Sequence, residues 1–324
     1  MTAPGYLAVD SGGSGLRVAV GVPGREPSAQ RETREPVRTG ERGIDPAHLM
    51  AQLVPVARAL ATEAGVAELD TAVVGAAGFA SLGDALRAEL PGVLARELGV
   101  RTLALAADAV TAYVGALGPR PGAVVAAGTG LIAIGTDLTG WRRADGWGHL
   151  LGDCGSGAWI GRAGLEAALR AHDGRAGGSA PLLTCAEEQF GPVRGLPGLL
   201  YPRTDRAAVL ASFAPRVAAC AAHDPVAADI LRAAAGHMAD SAAAVCPADG
   251  APEVAFTGGL FKMGDPLLVP LREELARRLP HARQVPAEGD PLHGSVRIAT
   301  DLAAGRFTLP GEPALLYVVR TQGD

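Results

Sequence analysis

Residues 6–20, YLAVDSGGSGLRVAV, decide how the fold of this chain is interpreted. Two apolar runs flank a polar tip with three glycines, an order typical of a β-hairpin with a tight turn. Residues 123–134, AVVAAGTGLIAI, repeat the order of strand, glycine turn and strand. Two such hairpins, each opening one half of the chain, predict two duplicated domains that face one cleft.

The stretches outside the hairpins alternate between two apolar periodicities. Helical spacing over residues 46–64 and 83–98 alternates with buried-strand runs at 71–76 and 102–106. Such alternation predicts an α/β fold with layered sheets and helices. In the second half we expect a strand at 253–256, a loop rich in Gly and Pro over 174–202, and helices over 156–171, 205–222, 224–245, 266–279 and 291–304.

Three regions are predicted from these patterns. They are an N-terminal domain over residues 1–115, a larger C-terminal domain over 116–290, and a C-terminal extension over 306–324. The helix at 291–305 is a candidate to join the first domain. The extension contains a strand-like run, for which pairing with a sheet edge and no pairing both stay open.

Composition indicates a soluble globular protein. The 324 residues are 48% hydrophobic and 19% charged. A net charge of −5 argues against nucleic acid and anionic membranes as partners. The N-terminus lacks the pattern of a signal peptide, and no apolar run is long enough to span a bilayer. The four cysteines are scattered without a C-x-x-C pair, which predicts no structural zinc and a reduced, cytoplasmic location.

Both glycine tips are candidate phosphate clamps, because backbone N–H groups exposed by glycine can bind phosphate oxygens. The first clamp consists of Ser11, Gly12, Gly13 and Ser14, and the second of Gly128, Thr129 and Gly130. Asp10, just before the first clamp, can hold Mg²⁺, usually through water. Thr257-Gly258-Gly259, after the strand at 253–256, would let a base or ribose approach the backbone closely. Ordinary turns are the alternative for each motif, and the pairing of the two hairpins favours function.

Asp108 directly follows the strand predicted at 102–106 and opens the next helical pattern. One interpretation is an N-cap aspartate, which is a frequent role at such a position. The other is a general base that takes a proton from an attacking hydroxyl at the mouth of a cleft. A single aspartate can do both.

Residues 146–157, GWGHLLGDCGSG, concentrate five glycines around one acid, Asp153. Its carboxylate can accept hydrogen bonds from two adjacent sugar hydroxyls, and the helix N-terminus that follows suits phosphorylated or polyhydroxylated ligands. Trp147 is a candidate apolar wall, with a buried core tryptophan as the alternative. Cys154 lacks a second cysteine or a nearby histidine to activate it, so we do not expect a nucleophile there.

In this order the motifs resemble those of the BadF/BadG/BcrA/BcrD-type ATPase family and, within it, the N-acetylglucosamine kinases of the sugar kinase/Hsp70/actin superfamily. The resemblance covers nearly the whole chain. The two hairpin tips resemble the phosphate motifs, residues 257–259 the adenosine motif, and residues 107–109 the segment with the catalytic aspartate. Residues 145–148 with 152–156 resemble the sugar-site signature, and Gly294 resembles a position in the second connecting helix.

This resemblance implies two actin-like, ribonuclease H-like domains with an interdomain cleft for nucleotide and sugar. It implies transfer of the γ-phosphoryl group of ATP to a sugar hydroxyl, in particular the 6-hydroxyl of an amino sugar, with ATP and Mg²⁺ as cofactors. Asp108 would deprotonate or orient that hydroxyl. The remaining site residues would be Asp153, Gly146, Trp147 and Gly148 for the sugar, and Gly258 and Gly259 with the hairpin tips for ATP. The expected partners are small molecules, and a homodimer is the candidate assembly.

Three positions depart from the family pattern and bear on the substrate. Cys154 stands where relatives usually have Glu. The first phosphate motif of relatives usually reads Asp-Gly-Gly-Gly-Thr followed by a basic residue or His, which leaves Arg17 as a candidate for the missing charge. Thr39, Glu41 and Arg42 fall where relatives usually have an Asn that helps read the sugar. Because such polar mismatches can change substrate preference about 10⁴-fold, the pattern predicts a kinase more firmly than its sugar.

Three other functions stay open. The chain could phosphorylate glucosamine, N-acetylmuramic acid or a sugar of a natural product. It could be an ATPase that activates a reductase or dehydratase, although such activators hold an iron–sulfur cluster with cysteines, and the cysteines here lack the glycine-rich context for that. It could be a non-catalytic sugar or nucleotide sensor, although no DNA-binding segment is attached.

Overall fold

A computed structural model describes residues 4–12, 15–40 and 43–320. They form two main sheets with helices packed on them, and a short ribbon of β4 (Thr39–Gly40) and β5 (Gly43–Ile44). The predicted α/β class is confirmed by this mixture of sheets and helices.

The first sheet contains six strands, and the first predicted hairpin lies inside it. Its strands are β1 Gly5–Gly12, β2 Gly15–Gly21, β3 Ala29–Thr33, β6 Leu69–Ala76, β7 Thr102–Ala107 and β13 Leu316–Arg320. They are arranged in the order β13-β7-β6-β1-β2-β3. The hairpin pairs β1 with β2, which places Asp10 opposite Arg17. Strands β1, β6 and β7 run parallel, so Asp10 near the end of β1 and Asp108 just after β7 lie toward the same sheet edge.

Five helices pack with the first sheet, namely α1 Pro46–Glu63, α2 Phe79–Leu82, α3 Asp84–Leu98, α4 Asp108–Leu117 and α12 Pro291–Ala303. Helices α4 and α12 approach each other closely at two glycines. A Cβ on Gly294 would lie 1.9 Å from the carbonyl oxygen of Thr111, and one on Gly115 would lie 2.0 Å from that of Asp290. Any side chain at these positions would push the helices apart, so glycine is required there.

The second sheet has five strands, and it contains the second predicted hairpin. Its strands are β8 Gly122–Ala127, β9 Leu131–Thr136, β10 Trp141–Asp145, β11 Glu253–Thr257 and β12 Arg283–Gln284. They are arranged in the order β10-β9-β8-β11-β12. Strand β11 runs parallel to β8 with Thr257 opposite Ala126. The glycine motifs that follow these two strands therefore start at the same edge of the sheet.

Seven further helices belong to the second half, namely α5 Gly157–His172, α6 Ala180–Phe190, α7 Leu196–Leu200, α8 Arg206–Ala211, α9 Ala214–Cys220, α10 Pro225–Val245 and α11 Asp265–Arg278. The prediction of one helix over 205–222 is wrong. The range contains two helices, α8 and α9, with a break just before Pro215, whose ring removes a backbone donor. The loop predicted over 174–202 is also wrong. Ser179 caps α6 by accepting the N–H of Leu182 at 3.0 Å, and α6 buries Leu182 and Ala186.

The chain forms two compact units. Of the described residues, the first unit contains those of Met1–Pro121, Thr136–Trp141 and Pro286–Asp324, and the second those of Gly122–Gly135 and Arg142–Val285. The helix at 291–305, the candidate to join the first domain, lies in the first unit. Helix α12 packs on β1, and β13 pairs antiparallel with β7, so the stretch after 286 completes the first sheet. Within the described ranges, no helix has both the length and the apolar character needed to cross a bilayer.

Candidate active site

Arg17 in the first unit links two aspartates. Its Nε and Nη2 donate to Oδ2 of Asp10 at 2.9 and 2.5 Å, and its Nη1 donates to Oδ2 of Asp290 at 2.5 Å. Asp10 is only 8% exposed. Burial raises the pKa of the Asp10 carboxyl, and the Arg17 guanidinium opposes that rise. Arg17, the candidate for the basic charge that the phosphate motif lacks, is therefore paired with Asp10 of the same hairpin.

The residues around Asp10 fit a magnesium ion whose coordination is completed by phosphate. Mg²⁺ usually binds one or two carboxylates together with substrate phosphates and water. Arg17 occupies only Oδ2 of Asp10, and no described residue hydrogen-bonds to Oδ1. Among the described residues, no cluster of three or more His, Cys, Asp or Glu side chains could hold a metal by itself. Asp10 is thus suited to be a single protein ligand.

Asp108 is a buried carboxylate at the start of a helix. It is the first residue of α4, and its Oδ1 accepts the N–H of Ala109 at 2.9 Å. Its pKa is raised to about 6, because burial and the charge of Asp10 raise it more than the Ala109 hydrogen bond lowers it. The N-cap interpretation is wrong, because Ala107 occupies the cap position. A carboxyl with this pKa is ionised at neutral pH and basic enough to accept a proton.

Two predicted nucleotide motifs line one cavity in the second unit. Gly128, Thr129 and Gly259 contribute to a cavity of about 420 Å³. The other lining residues are Gly157, Ala208, Ala211, Ser212, Ala214, Pro215, Leu260 and Met263. Gly258 has φ +109°, and a Cβ there would lie 2.2 Å from the carbonyl oxygen of Ala127, so only glycine fits. The small residues of α8 and α9 leave room for a flat ring, and the volume is in the range of small-molecule sites.

Asp145 organises the glycine-rich loop 146–157 in the second unit. Its Oδ1 accepts the N–H of Asp153 at 2.6 Å, and its Oδ2 accepts the N–H of Cys154 at 2.9 Å. Both Asp145 and Asp153 have a positive φ, at 60° and 53°. Side chains tolerate this conformation only where other bonds hold it, and two charge-assisted bonds do so here.

The carboxylate of Asp153 is held against the glycine hairpin. Its Oδ1 accepts the N–H of Gly148 at 3.0 Å, and Oδ2 would lie 2.6 Å from a Cβ on Gly130. Asp153 is 8% exposed. Burial raises its pKa, the Gly148 hydrogen bond lowers it, and the charge of Asp145 raises it. Asp153 of the loop therefore packs directly against the hairpin tip at Gly130.

The N-terminus of α5 is occupied by protein groups. The N–H of Gly157 donates to the carbonyl of Gly128 at 2.9 Å, and that of Ala158 donates to the carbonyl of Thr129 at 3.1 Å. Ser156 caps the helix by accepting the N–H of Trp159 at 3.2 Å. These two amides anchor the hairpin and are therefore not free to bind a ligand at the helix N-terminus.

Two side chains of the loop differ from the simplest expectations. Trp147 is 65% exposed, with the Arg143 guanidinium 4.4 Å from its ring centroid, so it is not a core residue. Burial raises the pKa of the Cys154 thiol, and the Asp145 charge raises it further. A raised pKa disfavours the thiolate, which is the reactive form of cysteine.

The remaining predicted residues divide into two groups. Ser11 is 1% exposed, whereas a Cβ on Gly12 would meet no atom within 4 Å. Gly12 is therefore the accessible part of the first clamp among the described residues. Gly13, Ser14, Glu41, Arg42 and the side chain of Thr39 lie outside the described residues.

The comparisons with known proteins agree with this fold. The BadF/BadG/BcrA/BcrD ATPase family profile matches residues 9–294, so the chain belongs to this family and the predicted resemblance is confirmed. A protein of Chromobacterium violaceum, assigned as a candidate N-acetylglucosamine kinase, is 27% identical with a TM-score of 0.73, over 91% of this chain and 98% of that chain. A ROK family glucokinase of Streptomyces griseus, solved with glucose and AMPPNP, has a TM-score of 0.54 at 20% identity, over 93% and 99% of the two chains, which concerns the fold alone.

One further relative is similar over a short stretch. The N-acetylmuramic acid/N-acetylglucosamine kinase of Clostridium acetobutylicum is 44% identical over 69 residues. This stretch is 21% of the present chain and 22% of that kinase. The two-sheet α/β architecture is thus shared with sugar kinases along nearly the whole chain, and the higher identity is local.

The sequence places Asp145 in the sugar-site signature at 145–148 without a role of its own, and it gives no role to Asp290 or the small residues of α8 and α9. Asp145 carried a signal, since it stands directly before the glycine-rich loop as an acid at the end of a strand. Asp290 lies far from Arg17 in sequence. The small residues of α8 and α9 fall within 205–222, for which the sequence predicts one continuous helix.

Proposed function

We propose that this chain is an ATP-dependent carbohydrate kinase that phosphorylates the 6-hydroxyl of N-acetylglucosamine or a related amino sugar. The observation that carries the proposal is the assembly of Asp153 with the 128–130 hairpin. It joins an acceptor for sugar hydroxyls to a glycine tip suited to phosphate. Family membership supports ATP as the phosphoryl donor.

In the proposed reaction, Asp108 accepts the proton of the attacking hydroxyl. The hydroxyl oxygen forms a bond to the γ-phosphorus, and the bond from that phosphorus to the bridging oxygen breaks. ADP leaves with the electron pair of that bond, and Asp108 later releases its proton to solvent. With a pKa of about 6, Asp108 begins the cycle ionised at neutral pH.

The other residues position the reactants. Asp153 accepts hydrogen bonds from hydroxyls next to the reacting one, which fixes the direction of attack. The cavity of Gly128, Thr129 and Gly259 receives the nucleotide. The Asp10 carboxylate would hold Mg²⁺, usually through water, and the ion would neutralise phosphate charge. The Arg17 guanidinium opposes the rise in the pKa of Asp10 that burial causes, and so favours its ionised form.

Support for the amino sugar comes from two relatives. The Chromobacterium violaceum structure and the Clostridium acetobutylicum kinase both carry N-acetylglucosamine in their names. The second name also includes N-acetylmuramic acid, so both sugars belong in the first assay. A cytoplasmic location and a homodimer stay predictions from the sequence.

An ADP-release assay with Mg²⁺-ATP tests the proposal directly. The acceptors are N-acetylglucosamine, N-acetylmuramic acid, glucosamine and glucose, and phosphorus NMR identifies the phosphorylated position. We expect ADP release that depends on an amino sugar and yields its 6-phosphate. The same panel with Asp108→Asn reports contaminating kinases. ADP release that no sugar stimulates would contradict the kinase, and glucose as the best acceptor would contradict the amino sugar.

A further inference from the structure

A second cavity of the second unit lies beside the glycine-rich loop and is separate from the proposed nucleotide cavity. Its volume is about 370 Å³, and His149 and Leu150 of the loop form part of its lining. Most of its wall is apolar, formed by Leu165, Leu169, Leu196, Leu200 and Leu210. Leu150 and Tyr201 in the lining are each 74% exposed. Large apolar side chains left this exposed around a cavity usually mark a binding site.

The same lining carries an excess of positive charge. It contains Arg162, Arg175 and Arg206, whereas Glu166 is its single acid. Glu166 is already bound by Arg170 at 3.0 Å, and Arg175 lies 3.2 Å from Asp173. Arg162 and Arg206 form no hydrogen bond or ion pair with any residue in the described part of the chain. Two guanidinium groups are thus available beside an apolar wall.

This chemistry differs from that of the proposed sugar site. A polyhydroxylated sugar has little apolar surface, whereas the wall of this cavity is mostly leucine side chains with arginine donors beside them. Arginine binds carboxylates and phosphates in a two-pronged manner, and the leucines favour a hydrocarbon body. We propose that this cavity binds an apolar organic anion, of the class of a medium-chain acyl carboxylate.

The charges also argue against a second copy of the chain as the occupant. A two-fold interface brings the same surface of both copies together, and here it would bring arginines toward arginines. The cavity volume suits a small molecule rather than a broad protein surface. A free anion therefore satisfies both the apolar wall and the unpaired cations. The proposal does not depend on kinase activity.

Titration of the full chain with the fluorescent anion 8-anilinonaphthalene-1-sulfonate tests it, with decanoate as competitor. We expect saturable binding of the probe and its displacement by decanoate, with much weaker displacement by uncharged decanol. The double variant Arg162→Gln/Arg206→Gln should weaken decanoate about 10-fold or more, because charge-assisted hydrogen bonds are lost. Arg272→Gln removes an exposed charge outside the cavity and should leave decanoate affinity unchanged.

A second variant tests the contribution of the apolar wall to binding independently of the arginine charges. Leu200→Glu places an acid in the half-buried wall and should abolish decanoate binding, while circular dichroism checks that the fold is retained. Equal decanoate affinity in the wild type and the double arginine variant would overturn the proposal. So would a concentration-dependent dimer in sedimentation that blocks the probe and dissociates in Tyr201→Asp, since a second copy would then cover the cavity.

Discussion

Asp153 holds its Oδ2 only 2.6 Å from the position that a Cβ on Gly130 would take. A methyl group at residue 130 would therefore displace the carboxylate. Carboxylate oxygens at the end of a short side chain can move at little cost to folding. We therefore expect a methyl group at residue 130 to change the position of the Asp153 carboxylate, which is the proposed hydroxyl-binding group, more than the stability of the fold.

Gly130→Ala should weaken the sugar about 10-fold or more while leaving the midpoint of urea unfolding nearly unchanged. Isothermal calorimetry with N-acetylglucosamine measures the affinity, and Asp153→Ala gives the loss expected when the carboxylate is absent. Gly140→Ala is the matched control, because a Cβ at residue 140 would meet nothing within 4 Å. If both Gly130→Ala and Asp153→Ala kept the wild-type affinity for the sugar, Asp153 would have a structural role only.

Asp108→Asn should reduce kcat about 10²-fold or more with little change in sugar affinity, because the amide cannot accept the proton. In the wild type, kcat/KM should fall as the pH drops below about 6, where Asp108 becomes protonated. Steady-state rates from pH 5 to 8 measure both effects. Turnover close to wild type in Asp108→Asn would contradict the general-base assignment.

The same variant should be more stable than the wild type at pH 8. Burial raises the pKa of Asp108 from 3.8 to about 6, so the folded chain binds this proton more tightly than the unfolded chain does. This contribution to stability is present below pH 4 and is lost as the pH rises through 6, by at most about 3 kcal/mol. Urea unfolding should show a gain of about 1–3 kcal/mol at pH 8 and none at pH 4. Equal effects at both pH values would contradict a buried, ionised Asp108.

Arg17→Ala should destabilise the first unit at neutral pH by about 1–3 kcal/mol, since Asp10 would keep a buried charge without its partner. The loss should shrink as the pH falls, because protonation of Asp10 removes the buried charge. Arg31→Ala is the matched control on the neighbouring strand, because Arg31 and Glu63 form an exposed pair at 3.3 Å worth less than about 1 kcal/mol. Denaturant curves at pH 7 and 4 compare the two variants, and equal losses in both would show that burial of the pair is unimportant.

Cys185 and Cys220 should form an internal disulfide when the chain is treated with diamide. Their Sγ atoms lie 3.7 Å apart on α6 and α9. The two thiols lose two protons and two electrons, which reduce the diamide. Burial and the hydrogen bond to Cys185 raise the pKa of Cys220 to about 11, so the reaction should be faster at pH 9 than at pH 7. Peptide mapping identifies the bond, Cys246→Ser should retain it and Cys185→Ser should lose it.

Local patterns were enough for much of the fold. The hairpin around Gly12, the helix after Asp45 and the strand before Asp108 were predicted from apolar periodicity and turn residues. The hairpin and the helix depend on interactions between residues close in sequence, and the strand is marked by a local apolar run although its pairing partners are distant. Two secondary-structure predictions were wrong. Ser179 starts a helix inside a range whose Gly and Pro content is typical of a loop, and Pro215 follows a break inside a range whose composition is typical of one helix.

The sequence by itself determined the family, the α/β class and the glycine motifs, because each is encoded within a short stretch of residues. Only the tertiary structure decided that Arg17 binds Asp10 and Asp290, that Asp145 positions Asp153, and that α8 and α9 complete a cavity with the glycine tips. These relationships join residues far apart in sequence. Burial then raises the pKa of Asp108, because desolvation depends on the surrounding fold.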